Sequence, residues 1–195
     1  AASRPLGLAP NGLHGFLAIA GIACCLAMAM PQAHIVAHAT DLGHAAQRGA
    51  EMLALMLATG IISRLAFGWI SDHLGGLETL LLGSSLQAVM LFLFMFAESL
   101  SSLYLMAALF GLSQGGIVPS YAIIVRRYFV PGQAGWRIAF VLSMTLLGMA
   151  LGGWLAGLLY DLTGSYRMAF INAVIFNLLN MAIAGALLRR ARQGV

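Results

Sequence analysis

The stretch SRLAFGWISDHLGG, residues 63–76, places Arg64 inside an apolar run and ends the run with Asp72, which is followed closely by two glycines. Arg64, Gly68 and Asp72 are four residues apart, so on a helix they lie on one face, with Asp72 at the end of the run. The interpretation of an arginine inside an apolar helix depends on whether the helix lies in water or in a membrane. The composition of the chain decides which of the two solvents applies.

The composition is that of a membrane protein. Of 195 residues, 61% are hydrophobic and 8% are charged, and the mean hydropathy is +0.92, whereas a soluble domain carries about 25% charged residues. Apolar runs of about 20 residues, the length that crosses a bilayer, follow one another with short connections. Only helices and closed barrels satisfy the backbone in lipid, and these runs lack the alternation of barrel strands. The sequence therefore predicts an all-α membrane protein.

Six transmembrane helices can be drawn, and they form one domain over residues 13–190. Residues 1–12 then form a cytoplasmic linker, and residues 191–195 form a cytoplasmic tail. Because the chain does not start with methionine, we expect it to be a fragment. Six helices divide into two triplets, as in the 3+3 inverted repeats of many secondary transporters. The predicted helices are 13–38, 50–71, 77–97, 100–125, 137–160 and 167–188.

The charges indicate the orientation of the helices. All ten basic residues are arginines, and placing both termini in the cytoplasm satisfies the positive-inside rule. The net charge of +4 does not indicate nucleic acid binding, because no basic stripe with interleaved aromatic residues is present. The cysteines Cys24 and Cys25 are adjacent in an apolar run, which indicates buried thiols rather than a zinc site. We expect no metal and no cofactor. The cytoplasmic side then receives Arg4, Arg126, Arg127, Arg137, Arg189, Arg190 and Arg192, and the outer side receives Arg48 and Arg167.

Gly68, Asp72 and Gly75 form the pattern G-x-x-x-D-x-x-G, with His73 after the aspartate. The pattern resembles the signature loop of the major facilitator superfamily, found between the second and third helices of each six-helix half. His73 stands where that family usually has Arg or Lys, so the charge relay of the motif does not transfer. The resemblance implies that these four residues form a gating loop on the cytoplasmic side.

Four further phrases resemble the carboxy-terminal half of bacterial transporters related to the monocarboxylate and oxalate/formate groups. This resemblance covers about residues 13–190. It implies a half of a transporter fold whose partners are the amino-terminal six-helix half, the lipid bilayer and a small organic anion. The phrases are MPQAHIVAHATDLG, LLLGSSLQ, FGLSQGGIVPSYA and YDLTGSYRMAF.

Arg64 is the leading candidate for binding that anion. It lies about 10 Å from the inner end of its predicted span, and inserting an arginine there costs about 2.5–3.5 kcal/mol on translocon scales. No acid shares its depth, since Asp72 is about 12 Å and Glu51 about 20 Å away along the helix axis. A guanidinium suits a carboxylate, and in the resembled families an arginine at this place is implicated in substrate binding. Pairing with the missing half and snorkelling to the interface are the alternatives.

His34 and His38 lie one turn apart near the outer third of the first predicted helix. The shared face predicts that they line a wet cavity, where histidine can take up a proton near neutral pH, with polar helix packing as the alternative. No third ligand is fixed nearby, which disfavours zinc.

The segment GLSQGGIVPSY, residues 111–121, carries two further candidates. Its glycines and proline break the helix and free backbone carbonyls toward a cavity. Gln114 and Tyr121 are therefore candidate substrate contacts, with packing as the alternative.

The predicted function is that of a secondary active transporter, not an enzyme, in the bacterial inner membrane. It would move a monocarboxylate-like anion by alternating access, coupled to protons or to exchange. Animal monocarboxylate carriers place an acid one turn before the arginine, where Gly60 stands here, so their proton-coupling scheme does not transfer directly. The alternatives are a rhomboid-like intramembrane hydrolase with Ser113 as nucleophile, and a passive channel.

Overall fold

The computed structural model describes residues 5–194, which form seven α-helices and one short 3₁₀ turn. Arg4 and the rest of residues 1–4 of the predicted linker, and Val195 of the predicted tail, lie outside the described residues. The 3₁₀ turn, Pro5–Gly7, falls within the predicted linker, and the first helix already begins at Pro10. The helices are α1 (Pro10–Asp41), α2 (Ala46–Leu74), α3 (Gly76–Phe94), α4 (Leu100–Gln114), α5 (Ile117–Tyr128), α6 (Pro131–Thr163) and α7 (Tyr166–Arg192).

The prediction of an all-helical membrane protein is confirmed. Six helical segments are long and apolar enough to cross a bilayer, with α4 and α5 together counting as one of them. No β-strand occurs among residues 5–194. The observed helices extend past most of the predicted ends. For example, α6 begins at Pro131 rather than residue 137, because proline is favoured in the first turn of a helix, where its missing N–H is not needed.

The fourth predicted helix is two helices rather than one. Helix α4 ends at Gln114 and α5 begins at Ile117, with Gly115 and Gly116 between them. Both glycines have low helix propensity, and Pro119 has no N–H to donate to the carbonyl of Gly115. The break therefore leaves backbone N–H and C=O groups without helical hydrogen-bond partners in the middle of a membrane-length segment.

The helix contacts follow a pattern of two related triplets. Helix α1 packs against α6 and α7, α2 packs against α4, and α3 packs against α4 and α7. In this pattern α1 corresponds to α4–α5, α2 to α6, and α3 to α7. The contact of α1 with α6 then corresponds to the contact of α4 with α2. The contact of α1 with α7 likewise corresponds to the contact of α4 with α3. Two triplets related by an internal repeat produce this correspondence.

Glycines allow α1 and α6 to pack closely. A Cβ atom on Gly148 would overlap the backbone of Ile22, and one on Gly152 would overlap the backbone of Leu26. Small residues at such positions bring helix backbones together, which is a main source of helix association in a bilayer. The long α1–α6 contact positions one wall of the cavity described next.

Candidate functional site

An open cavity of 520 Å³ lies between α1, α2, α4, α5 and α6. Arg64 lines it from α2, at a position ten residues before the helix end at Leu74, or about 15 Å along the helix axis. Thr145 faces the cavity from α6 and Pro119 from α5. Helices α3 and α7 contribute no lining residue, so the cavity lies on one side of the bundle.

The side chain of Arg64 has no partner in the part of the chain that the structure describes. Arg64 is exposed, and no side chain or carbonyl of residues 5–194 accepts a hydrogen bond from it. The ion pair found in this range joins Arg48 and Glu51 at 3.0 Å, on the first turns of α2. The guanidinium of Arg64 is therefore a positive charge with five free donors that faces a cavity.

Two glutamine side chains cross the cavity wall from opposite helices. Nε2 of Gln32, on α1, donates to Oε1 of Gln114, on α4, at 2.7 Å. Both residues line the same cavity as Arg64, and Gly60 of α2 lies beside them, with its Cβ position 3.7 Å from Nε2 of Gln114. The structure thus brings Gln114 and Arg64 to one site. Gln32 was not among the predicted substrate contacts, although a glutamine in an apolar run is a signal that could have identified it.

Ser63 connects the helix break to Arg64. Its hydroxyl donates to the carbonyl of Leu112 at 2.6 Å and accepts from the N–H of Gly115 at 3.0 Å. A Cβ atom on Gly115 would overlap Ser63 and the backbone of Arg64, so only glycine permits this approach. Sequence reasoning missed Ser63, because a serine in a helix gives no signal of an interhelical partner.

The structure places His34 and His38 away from this cavity. Both line a separate pocket with Phe94, Tyr166 and Phe170, which has no room for a water molecule. Nε2 of His34 donates to the carbonyl of Gly153 at 2.8 Å, so a neutral His34 accepts at Nδ1 from the Tyr166 hydroxyl at 3.3 Å. These contacts belong to the packing of α1 against α6 and α7.

His38 differs from His34 in its partners. Its ring contacts Tyr166 and Phe170 edge to face, with centroid distances of 5.5 Å each. Its Nε2 is buried and has no hydrogen-bond partner among the described residues. No group of three His, Cys, Asp or Glu side chains that could hold a metal ion occurs in residues 5–194.

The structure also places Tyr121 outside the cavity. Its side chain is fully buried, and its hydroxyl donates to Oδ1 of Asn180 at 2.8 Å. Nδ2 of Asn180 in turn donates to the hydroxyl of Ser84 at 2.7 Å. The three side chains join α5, α7 and α3. In this conformation Tyr121 is a packing residue. Of the two candidate substrate contacts in segment 111–121, only Gln114 reaches the cavity.

The predicted gating loop lies where α2 ends and α3 begins. Gly75 has φ 92°, a left-handed conformation that favours glycine, and its N–H donates to the carbonyl of Ser71 at 2.9 Å. Nδ1 of His73 donates to the carbonyl of Trp69 at 2.8 Å. Asp72 is exposed on the last turn of α2.

The same end of the bundle meets α5. The Cβ position of Gly75 is 2.9 Å from Nη1 of Arg127, so this arginine covers the loop. Gly68, one turn before Asp72, has no atom within 4 Å of its Cβ position. The α2 face on which Gly68, Asp72 and Arg64 lie is thus unoccupied by a neighbouring helix of the described chain.

Arg137, which the sequence assigned to the cytoplasmic side, is buried. Its guanidinium lies 4.5 Å from the ring centroids of both Phe129 and Trp136, and it donates to Oε1 of Gln133 and to Oδ1 of Asn11. Two aromatic faces and two amide oxygens thus stabilise this cation. No carboxylate among the described residues forms an ion pair with it. The two aromatic residues near it in the sequence were the signal for this arrangement.

Ser113 does not form the arrangement that a hydrolase needs. Its hydroxyl is buried and donates to the carbonyl of Phe110, one turn earlier in α4, at 2.7 Å. No hydrogen bond joins it to a histidine among residues 5–194. A serine nucleophile requires a base within hydrogen-bond reach.

Comparison with known proteins finds a matching sequence family, similar sequences and solved structures with a similar fold. The sequence model of the Major Facilitator Superfamily matches residues 15–194. Monocarboxylate transporter 13 of Rattus norvegicus is 30% identical over 149 residues, which are 75% of this chain and 35% of that protein. Probable anion transporter 5 of Arabidopsis thaliana is 31% identical over 121 residues, covering 60% of this chain and 28% of that protein. The chain thus spans about a third of the length of the curated relatives it matches.

Solved structures share the fold. A peptide transporter in complex with alafosfalin superposes with a TM-score of 0.83 at 18% identity, covering 96% of this chain and 41% of that one. The fucose:proton symporter of E. coli superposes with a TM-score of 0.73 at 16% identity, covering 89% of this chain and 42% of that one. At such identities the likeness shows the fold alone.

Proposed function

The chain belongs to the major facilitator superfamily, and on this premise we propose that it forms the carboxy-terminal half of a secondary transporter. The cargo would be a small, monocarboxylate-like organic anion, moved by alternating access. A proton gradient or exchange against a second anion would drive the transport. The family and the transporter names of the relatives indicate a transporter rather than an enzyme.

The unpaired charge of Arg64 in the cavity is the observation that carries the proposal. A cation at this depth is costly unless it faces water or a partner, and Arg64 has a cavity of 520 Å³ in front of it. The guanidinium fork binds a carboxylate with two parallel hydrogen bonds. The Gln32–Gln114 pair supplies amide groups beside it that can orient the rest of a small anion.

Helices α2 and α6, which both line the cavity, also expose large apolar side chains that a second half or lipid can cover. On α2, Leu65 is 75% and Trp69 is 67% exposed, and on α6, Leu146 is 70% and Trp154 is 64% exposed. Helices α2 and α6 flank the side on which the cavity opens. A second six-helix half packed there would close the cavity from one side, and a midplane site between two rocking halves is the usual arrangement in such transporters.

The predicted location is a cell membrane with both chain ends in the cytoplasm. Six apolar helices make the protein a multi-pass membrane protein. The arginine distribution supports the orientation, and the resemblance to bacterial transporters supports a bacterial inner membrane. The relatives named above come from an animal and a plant.

Uptake into vesicles tests the proposal. We expect the full-length protein in proteoliposomes to take up one or more radiolabelled monocarboxylates with saturable kinetics. Arg64→Gln should lower kcat/KM at least 10-fold, because it removes the charge-assisted bidentate contact. Arg64→Lys keeps the charge without the guanidinium fork. Its kcat/KM should lie between those of the unchanged protein and of Arg64→Gln.

Arg167→Gln is the matched control, because Arg167 lies exposed at the start of α7, outside the cavity. Its uptake should equal that of the unchanged protein. Equal uptake by Arg64→Gln would remove Arg64 from the site. Flux that neither saturates nor shows counterflow would instead identify a passive channel.

A further inference from the structure

A groove runs along α7 toward its carboxyl end, on a part of the surface that does not border the Arg64 cavity. It consists of two adjoining cavities of 320 and 330 Å³, which share Ala182 and Ala186. Gly185 lies in its floor, and a Cβ atom there would meet nothing within 4 Å. Leu8 and Phe16, from the start of the chain, form part of the other wall. These five residues define the α7 groove.

Two arginines stand at one end of the α7 groove. Arg189 borders one of its cavities and Arg190 borders the other. They follow Gly185 and Ala186 by one helical turn each, so they continue the same face of α7. Both are exposed, and neither side chain has a hydrogen-bond or ion-pair partner among residues 5–194. The groove therefore combines an apolar floor with two free cations at one end.

The position of the α7 groove exposes it to lipid. The Arg64 cavity is lined from α1, α2, α4, α5 and α6, with no residue from α7, so a half that covers the cavity leaves the groove uncovered. The arginines lie on the last turn of a membrane-length helix. On the orientation that the arginine distribution predicts, this end reaches the cytoplasmic leaflet, where anionic lipids concentrate.

We propose that the α7 groove binds one anionic phospholipid, with its phosphate held by Arg189 and Arg190 and an acyl chain lying over Gly185. Packing over Gly185 holds the acyl chain in place but does not distinguish one phospholipid from another, because their tails are equally apolar. Selectivity therefore comes from the headgroup, to which arginine donates paired hydrogen bonds. Two arginines near the surface predict roughly a 30-fold preference for an anionic over a zwitterionic lipid.

Native mass spectrometry of the full-length protein in detergent tests this site. Phosphatidylglycerol and phosphatidylcholine with the same acyl chains serve as probes. We expect one retained phosphatidylglycerol, bound roughly 30-fold more tightly than phosphatidylcholine. The double variant Arg189→Gln/Arg190→Gln should reduce that preference to a few-fold. Gly185→Leu should also weaken phosphatidylglycerol binding while both charges remain, because its side chain fills the groove.

The matched control is Arg126→Gln/Arg127→Gln, which removes two exposed arginines from the end of α5. This variant should keep the preference for phosphatidylglycerol. Equal losses in the two double variants would show diffuse attraction to basic surface and overturn the proposal. Unchanged binding in Gly185→Leu, or a second protein copy retained in place of the lipid, would overturn it as well.

Discussion

The hydroxyl of Ser63 accepts a hydrogen bond from the N–H of Gly115 at 3.0 Å, which attaches the break between α4 and α5 to the residue before Arg64. The same hydroxyl donates to the carbonyl of Leu112. Two backbone groups that the break leaves without helical partners are thus satisfied by one side chain of α2. A change in the angle between α4 and α5 would move the backbone of Arg64 with it.

Replacing this hydroxyl should destabilise the bundle. In Ser63→Ala the buried N–H of Gly115 loses its acceptor, and leaving a buried donor unsatisfied costs about 1–3 kcal/mol. We expect a lower unfolding temperature in detergent, measured by differential scanning fluorimetry. Ser143→Ala is the control, because the Ser143 hydroxyl is exposed and donates only to the carbonyl of Ala139 in its own helix. Equal unfolding temperatures of the two variants would contradict the role of Ser63.

Alanine should have opposite effects at two helical glycines. In Gly152→Ala the new Cβ overlaps the backbone of Leu26, and forcing α1 and α6 apart costs about 1–3 kcal/mol. Gly185→Ala meets no atom within 4 Å and gains up to about 1 kcal/mol of helix propensity. Thermal unfolding in detergent should therefore shift down for the first variant and stay level or rise for the second. An unchanged or raised unfolding temperature of Gly152→Ala would mean that α1 and α6 are less tightly packed than the structure shows.

The number and type of helices follow from the sequence because the bilayer imposes them. Runs of about 20 apolar residues must be helical and must span, so the six segments were predicted from length and composition. Gly115, Gly116 and Pro119 also predicted the irregular backbone of the fourth segment, although not that α5 forms a separate helix. The arginine at mid-depth predicted a cavity or a partner, and the structure shows Arg64 on a cavity.

The rotation of each helix did not follow from the sequence. Most of these helices are apolar on all sides, so no amphipathic stripe indicates which face points into the bundle, and the short helix α5 is the exception. Residue type made His34, His38 and Tyr121 candidates for the pathway with packing as the alternative, and the structure places all three in packed regions. Arg137 was assigned only to the cytoplasmic side, and its burial depends on the aromatic residues that fold around it.

The two histidines of α1 should respond differently to phenylalanine. His34→Phe removes hydrogen bonds to Gly153 and Tyr166 and should cost about 1 kcal/mol or more of stability. His38→Phe removes a buried nitrogen that has no described partner, so its stability should be unchanged or higher. Unfolding temperatures measure both effects.

A pH profile of uptake adds a second measurement for His38. If His38 only packs, the pH dependence of monocarboxylate uptake by His38→Phe should match that of the unchanged protein. A flattened profile at unchanged stability would instead return His38 to the transport pathway as a protonatable group.

Tyr121→Phe separates packing from substrate contact. The variant keeps the ring but leaves Oδ1 of buried Asn180 without its donor, so the free energy of unfolding should fall by about 1–3 kcal/mol. Because the Tyr121 hydroxyl does not reach the Arg64 cavity, the KM for anion uptake should stay unchanged. Tyr128→Phe at the end of α5 is the control, since its hydroxyl has no partner among residues 5–194, and both its stability and its KM should be unaffected. A raised KM at full stability in Tyr121→Phe would mean that α5 turns during transport and brings this hydroxyl to the substrate.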